Sequence, residues 1–109
     1  MSNQEQLKKK VFSLIGLATR ARKTVSGEFS TEKAVKSFEA ELVMVAEDAS
    51  DNTKKLFNDK CSFYEVPCVI YGTKEELGHA MGKEMRASLA VTDTGFAQAL
   101  CKLLGETQN

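Results

Sequence analysis

Apolar and polar residues follow one another along this chain in blocks that predict five helices and four strands. From Val11 to Ala18 the apolar residues recur at helical spacing among lysines and arginines, which predicts an amphipathic first helix. Leu42 to Ala46 is a continuous apolar run, typical of a central strand that is covered on both faces. The predicted elements are helices over about 4–19, 30–38, 52–63, 74–82 and 94–104, and strands over about 23–27, 42–46, 68–71 and 88–92.

The order of these elements determines the fold class. Helices alternate with short strands along the whole chain, so helices should cover both faces of one sheet. A chain of 109 residues is long enough to bury one core but too short for two lobes. We therefore expect residues 1–109 to form a single domain, a three-layer α/β/α sandwich with a central mixed four-stranded sheet.

Several side chains of the middle helices are predicted to face the core. They are Ala34, Val35 and Phe38 in the second helix and Leu56, Phe57 and Cys61 in the third. The three cysteines are odd in number and lack the close pairing of zinc sites. We expect Cys61, Cys68 and Cys101 to be reduced core residues, and we predict no metal site.

The overall composition does not distinguish this chain from other globular proteins. The apolar share of 42% and the charged share of 28% are ordinary for a globular protein. No apolar run approaches the roughly 20 residues of a membrane span, and the first ten residues lack the apolar core of a leader peptide. The expectation is a cytoplasmic protein with no membrane association.

The charge is unevenly distributed although the chain is neutral as a whole. Residues 1–36 carry eight basic and three acidic residues, and residues 37–109 carry seven basic and twelve acidic ones. The first part therefore has a net charge of +5 and the second part −5. Such a basic region favours a polyanion, foremost RNA, as the partner.

The basic region contains a glycine directly before a predicted helix. In SGEFSTEKAVK, Gly27 precedes helix-opening residues whose amide groups lack partners within the helix, and two lysines stand on the adjoining turns. The candidate RNA-binding residues of this region are Lys23, Gly27, Glu28, Phe29, Ser30, Lys33 and Lys36. The alternative is that Gly27 supplies only a turn, Ser30 only caps the helix and the lysines are only a solvated face.

A second candidate element precedes the last predicted strand. In LGHAMGKEMRAS, Met85 could offer an apolar surface to an unstacked base while Arg86 holds a phosphate. The alternative is that Met85 closes the core and Arg86 is ordinary surface.

Catalytic interpretations have less support. His79 is the only histidine, without a serine or cysteine at motif spacing, and is predicted to lie on a helix surface. Glu47 and Asp48 follow a central strand, but an acidic pair alone does not define a reaction, and capping of the next helix is the favoured role. We predict no catalytic residues and no cofactor.

Five segments together resemble a known family. GLATRARKTVSG, LVMVAEDAS, NTKKL, VPCVIYGTKEELGHAMGK and RASLAVTD are similar to the kink-turn-binding ribosomal protein superfamily, of the seven-Ae and thirty-e type, and most of all to its small bacterial YlxQ-like branch. The resemblance spans about residues 7–104. It implies an α/β/α sandwich that binds structured RNA without catalysis, with Met85 as the apolar residue that meets an extruded nucleotide.

The family motif is only partly present in this chain. In kink-turn binders the helix opens with GxNExxK, and the resemblance places its Gly on Gly27, its Asn on Phe29, its Glu on Ser30 and its Lys on Lys33. The Asn and Glu that read sheared G·A pairs in family members are therefore replaced. This departure indicates a different RNA or weaker binding, with Phe29 able to stack on a base instead.

Two further hypotheses stay open beside the RNA-binding one. A protein-interaction or assembly module on the same scaffold would use an exposed apolar patch around Phe29 and Met85. A small RNA-processing enzyme would rest on Glu47 and Asp48. The leading expectation is a monomeric, non-enzymatic binder of structured RNA, ribosomal RNA among the candidates, with a protein partner in a ribonucleoprotein as a further expectation.

Overall fold

The computed structural model of the protein describes residues 2–105, in which helices and strands alternate. The elements are α1 (Asn3–Arg20), β1 (Thr24–Ser26), α2 (Glu28–Lys36), β2 (Leu42–Val45), α3 (Asp51–Tyr64), β3 (Cys68–Ile70), α4 (Lys74–Ala80), β4 (Ser88–Val91) and α5 (Thr94–Gly105). All of the predicted elements are present, with ends that differ from the predictions by two residues at most.

The four strands form one mixed sheet in the order β1-β4-β2-β3. β4 runs antiparallel to both β1 and β2, whereas β2 and β3 are parallel. In this register Val43 lies between Ala90 of β4 and Cys68 of β3. Every residue of β2 and β4 is buried, which confirms that the apolar run from Leu42 forms a central strand.

Helices cover the sheet in two groups. α1 packs against α4 and α5, and α2 packs against α3. The largest fully buried side chains come from both groups and from the sheet, and include Phe57, Ile15, Leu42, Met44 and Leu77. The three-layer α/β/α sandwich is thereby confirmed. None of the helices in the described range has the length and apolar character that crossing a membrane requires.

Three helices begin at the same end of the sheet. β1, β2 and β3 point in one direction, because β4 is antiparallel to β1 and β2 and β3 is parallel to β2. Each of these three strands is followed in the chain by a helix, namely α2, α3 and α4. We call this end the carboxyl end of the sheet. Their amino termini, where the helix dipoles are positive, all lie there, and ligands of open α/β sheets commonly bind at such an end.

Some predictions of local packing are wrong. Phe38 was expected in the core but is 73% exposed, because α2 ends at Lys36 and Phe38 adopts a left-handed backbone conformation that directs its ring outwards. Cys61 is buried as predicted and Cys68 is half-buried, whereas Cys101 is exposed. All three are free thiols, and a hydrogen bond with Cys68, together with burial, raises the pKa of the Cys61 thiol.

Candidate nucleic-acid interface

Gly27 makes the corner between β1 and α2. Its backbone has φ 90° and ψ 158°, a conformation that residues with a Cβ rarely adopt. Its N–H donates to the Ser88 carbonyl at 3.0 Å, and its own carbonyl accepts the first helical bond from the Thr31 N–H at 3.0 Å. A Cβ added there would meet no atom within 4 Å. Glycine is therefore required by the backbone angle and not by crowding.

The amino terminus of α2 differs from those of the other helices in having no side-chain cap. Across residues 2–105 the other four helices each have a side-chain oxygen that accepts from a first-turn N–H, supplied by Ser2, Ser50, Thr73 and Asp93. At α2 the capping position is Gly27, which has no side chain to do so. The first three N–H groups of α2, those of Glu28, Phe29 and Ser30, find no acceptor among the described residues. They are free to donate to an anion.

This start of α2 corrects one alternative from the sequence. Ser30 was considered as the helix cap, with the helix starting there. The helix starts two residues earlier, at Glu28, so Ser30 lies inside its first turn and cannot cap it. The capping interpretation of Ser30 is therefore wrong.

A tight loop between α4 and β4 forms the second part of the interface. Gly82 adopts φ 71°, its N–H donates to the His79 carbonyl at 3.0 Å, and the Lys83 N–H donates to the Gly78 carbonyl at 2.8 Å. These bonds form the Schellman motif that commonly ends a helix. Gly78 lies directly under the loop, where a Cβ would overlap the Glu84 carbonyl. The loop can reach its position only because residue 78 has no side chain.

Hydrogen bonds hold this loop against the Gly27 corner. The Arg86 guanidinium donates through Nε to Ser26 Oγ at 3.1 Å and through Nη1 to the Met85 carbonyl at 2.9 Å. Beneath them the buried Ser88 hydroxyl lies 3.4 Å from Thr31 Oγ1 and links β4 to the first turn of α2. The loop and the corner therefore form one fixed surface at the carboxyl end of the sheet.

Two apolar side chains project from this surface. Phe29 is 80% exposed on the first turn of α2, and Met85 is 57% exposed in the loop. The alternative in which Met85 closes the core is wrong. Phe29, Lys33 and Lys36 line a shallow groove of about 310 Å³ along α2. Exposed apolar groups beside cations and free amides are the combination that nucleotides require.

The structure separates the predicted lysines. Lys33 is exposed on the second turn of α2 and makes no ion pair within residues 2–105. Lys36 is one turn further on and lies 3.5 Å from Glu32 Oε2. Lys23 precedes β1 at the other end of the sheet, where its backbone carbonyl accepts from the Thr92 N–H at 2.8 Å. Four residues separate it from Gly27, which is about 13 Å at the usual strand rise. Lys23 therefore lies away from the compact site, whereas Lys36 borders it through the groove that it lines with Phe29 and Lys33. The compact site is formed by Gly27, Glu28, Phe29, Ser30, Lys33, Met85 and Arg86.

The acidic pair after β2 has a structural role. The Gly72 N–H donates to Glu47 Oε2 at 3.3 Å, and the Lys74 N–H donates to Asp48 Oδ1 at 2.8 Å. Asp48 thus accepts from the first N–H of α4, whose cap is Thr73, whereas α3, the next helix, is capped by Ser50. The predicted capping of the next helix by this pair is wrong. His79 is exposed on α4, as predicted.

Sequence reasoning missed the residues that hold the two parts of the site together. Ser26, Thr31 and Ser88 make the hydrogen bonds between corner, helix and loop, and Thr31 and Ser88 are fully buried. The one available signal was a polar residue at the start of the otherwise apolar SLAV strand. A buried hydroxyl usually has a partner, but the sequence does not say which one.

We expect Gly27→Ala to destabilise the protein by about 1 to 3 kcal/mol, because alanine at this position must adopt the unfavourable backbone angle φ of 90°. Crowding does not contribute, since the added Cβ would meet no atom within 4 Å. Chemical denaturation would measure the change. Gly105→Ala is the matched control, because residue 105 has no positive φ and a Cβ added there would meet no atom of the described residues within 4 Å. Equal stability of the two variants would contradict the requirement for glycine at the corner.

Comparison with known proteins identifies the family of this chain. The profile of the ribosomal protein L7Ae/L30e/S12e/Gadd45 family matches residues 9–101, and the chain belongs to this family. An RNA-binding protein YlxQ from Bacillus subtilis (strain 168) is 50% identical over 93 residues, which cover 85% of this chain and 93% of that protein. An RNA-binding protein YlxQ from Enterococcus faecium is 41% identical over 97 residues, covering 89% and 93%.

Solved structures show the same architecture. A protein of unknown function from Bacillus halodurans superimposes with a TM-score of 0.86 at 41% identity, covering 88% of this chain and 97% of that one. A 15.5kD RNA-binding protein from Giardia lamblia superimposes with a TM-score of 0.79 over 99% of this chain and 92% of its own. The two sequences are 22% identical, so this second similarity supports the fold alone.

Proposed function

We propose that this protein binds structured RNA through the carboxyl end of its sheet. The observation that carries the proposal is the uncapped amino terminus of α2, which shares one surface with exposed Phe29 and Met85 and with the cations of Lys33 and Arg86. The relatives named as RNA-binding proteins support it, since they match most of the chain.

Each group of the site has a distinct role in this proposal. A phosphate accepts hydrogen bonds from the free amides of Glu28, Phe29 and Ser30, and Lys33 supplies charge beside it. Arg86 uses two of its five N–H donors on Ser26 and Met85 and keeps the others for a second phosphate. The Phe29 ring stacks on an unpaired base, and Met85 packs against an extruded nucleotide.

The proposed RNA differs from a standard kink-turn. Phe29 and Ser30 occupy the positions at which the family motif has Asn and Glu, so the hydrogen bonds to sheared G·A pairs are lost. Stacking by Phe29 tolerates any base, because every base has a flat apolar face. We propose ribosomal RNA or another folded RNA with unpaired nucleotides as the target, with Lys36 and Lys23 as outer phosphate contacts on longer molecules.

Crosslinking in cells, followed by sequencing of the recovered RNA, tests the proposal. We expect enrichment of a small set of folded RNAs, and loss of that enrichment in a Phe29→Ala, Met85→Ala double variant that keeps its thermal stability. Both side chains are exposed, so their removal should leave the core intact. Recovery of no enriched RNA under low-salt conditions would contradict the proposal and favour the protein-interaction module.

A further inference from the structure

Two exposed phenylalanines and a half-buried tyrosine form an aromatic ridge at the opposite end of the molecule. Phe38 and Phe63 are 73% and 78% exposed, and Tyr64 lies between them. The ring centroids of Phe38 and Tyr64 are 5.4 Å apart, and those of Phe63 and Tyr64 are 4.9 Å apart, both in edge-to-face geometry. We call these three residues the aromatic ridge. It lies where α2 and α3 end, away from the Gly27 corner where α2 begins.

The backbone at Phe38 is not what folding alone would favour. Phe38 has φ 62° and follows the end of α2, where its N–H donates to the Val35 carbonyl at 3.2 Å and the Glu39 N–H to the Ala34 carbonyl at 2.9 Å. This is the position of a Schellman motif that glycine usually occupies. A side chain in this conformation costs about 1 to 2 kcal/mol. The protein therefore keeps a costly phenylalanine whose ring is mostly in water, which indicates a role outside folding.

Acidic side chains surround the aromatic ridge. Phe38 borders a groove of about 510 Å³ together with Glu39 and Glu41. Glu65 directly follows Tyr64 and is exposed as well. None of these three carboxylates forms an ion pair within residues 2–105.

Three cations lie near the aromatic ridge, and they offset part of this charge. Arg22 lines the groove beside Phe38, and Lys60 lines a second groove of about 410 Å³ beside Phe63 and Tyr64. Lys60 lies 3.8 Å from Glu32 Oε2, and Lys36, at the end of α2, lies 3.5 Å from the same oxygen, so the two lysines share one carboxylate. In the described part of the chain, the unpaired carboxylates of Glu39, Glu41 and Glu65 still outnumber Arg22 and the one lysine that Glu32 leaves unpaired. An apolar centre with this acidic rim favours a cationic partner.

We propose that the aromatic ridge docks a cationic segment of a partner protein, with an apolar side chain held against Phe38 and Phe63 and lysine or arginine residues facing Glu39, Glu41 and Glu65. Aromatic residues are characteristic of the energetic centres of protein interfaces. The protein thereby has two separate binding surfaces, and it can join a basic protein to the RNA at its other end.

Peptide binding to the full chain tests this proposal. The probe is a fluorescent amphipathic peptide of leucine and lysine, and its twin has glutamate at every lysine position. We expect the cationic peptide to bind and the anionic twin not to bind. Phe38→Gly and Phe63→Ser should each weaken binding at least about tenfold, and the double change Glu39→Lys, Glu41→Lys should do the same. Phe38→Gly should not lower thermal stability, because glycine suits the backbone there.

The matched control is Phe29→Ala, which removes an equally exposed phenylalanine at the other end. It should leave peptide affinity unchanged, while Phe38→Gly should leave RNA binding unchanged. Equal binding of both peptides, or unchanged affinity in Phe38→Gly, would overturn the proposal. A dimer in sedimentation that Phe38→Gly dissociates would assign the aromatic ridge to a second copy of the chain and would also overturn it.

Discussion

Reversal of the charge at Lys33 should weaken RNA binding by at least about tenfold at physiological salt. One phosphate neutralised by a lysine contributes about fivefold to affinity at 0.15 M salt, and a glutamate in its place adds repulsion. The slope of log affinity against log salt should also fall in magnitude by about 0.7 to 0.9. Lys33→Glu is a suitable variant because the Lys33 side chain is exposed and makes no ion pair within the described part of the chain.

Lys102→Glu provides the control for this variant. Residue 102 is an exposed lysine on α5, which packs in the other helical layer, so the substitution makes the same change in net charge away from the site. We expect its RNA affinity to change by less than about twofold, since exposed charges beyond a Debye length are largely screened. Equal losses in the two variants would mean that only total charge matters and that α2 has no special part in binding.

Replacement of Gly78 by alanine should destabilise the protein by about 3 kcal/mol, because the new Cβ would overlap the Glu84 backbone, which cannot rotate away as a flexible side chain can. For a domain of this size the loss corresponds to a fall in Tm of roughly 12 to 24 °C. The loop that carries Met85 and Arg86 must also shift, so RNA binding should weaken even well below the Tm. Thermal unfolding and RNA titration at low temperature would measure the two effects.

Gly82→Ala distinguishes crowding from backbone strain. Gly82 lies in the same loop and has φ 71°, but a Cβ there would meet no atom within 4 Å. Its substitution should cost only about 1 to 2 kcal/mol, the cost of a left-handed backbone for a residue with a side chain. A loss for Gly78→Ala no greater than that for Gly82→Ala would show that the loop does not depend on close packing over α4.

The fold could be predicted from the sequence because local patterns and global architecture agree in this chain. The unbroken apolar run from Leu42 to Val45 is buried on both faces in a central strand, and Thr73 with Glu76 forms the capping box that their spacing indicates. Alternation of helices and strands then leaves few ways to cover the sheet. Capping residues set the starts of the other four helices, whereas α2, which has no side-chain cap, begins two residues before its predicted start.

The site could be predicted only in part, because it depends on a missing helix cap and on contacts between residues far apart in the sequence. Gly27 was identified, but a sequence does not show that its helix lacks a cap, nor that Arg86 reaches Ser26 across 60 positions. Phe38 fits the apolar periodicity of α2, yet the left-handed turn after Lys36 places it outside. Lys23 is close to Gly27 in sequence, but an extended strand separates them in space.

The charge asymmetry along the sequence does not map onto the two proposed surfaces. Of the eight basic residues in 1–36 only Lys33 belongs to the compact site, and Arg86 comes from the acidic part of the sequence. The free amides of α2, Lys33 and Arg86 form a site suited to phosphate at one end. The aromatic ridge lies at the other end, beside Glu39 and Glu41. Under the proposed function, a chain without net charge binds RNA at this one surface, without the general attraction to nucleic acid that a large net positive charge would cause.

NMR titration of the labelled protein with the RNA enriched by crosslinking tests most directly whether the amino terminus of α2 contacts RNA. We expect the largest shifts at the amides of Glu28, Phe29 and Ser30 and at Met85, with the aromatic ridge unchanged. Shifts confined to Phe38, Phe63 and Tyr64 at saturating RNA, with the first turn of α2 unperturbed, would contradict the proposed site.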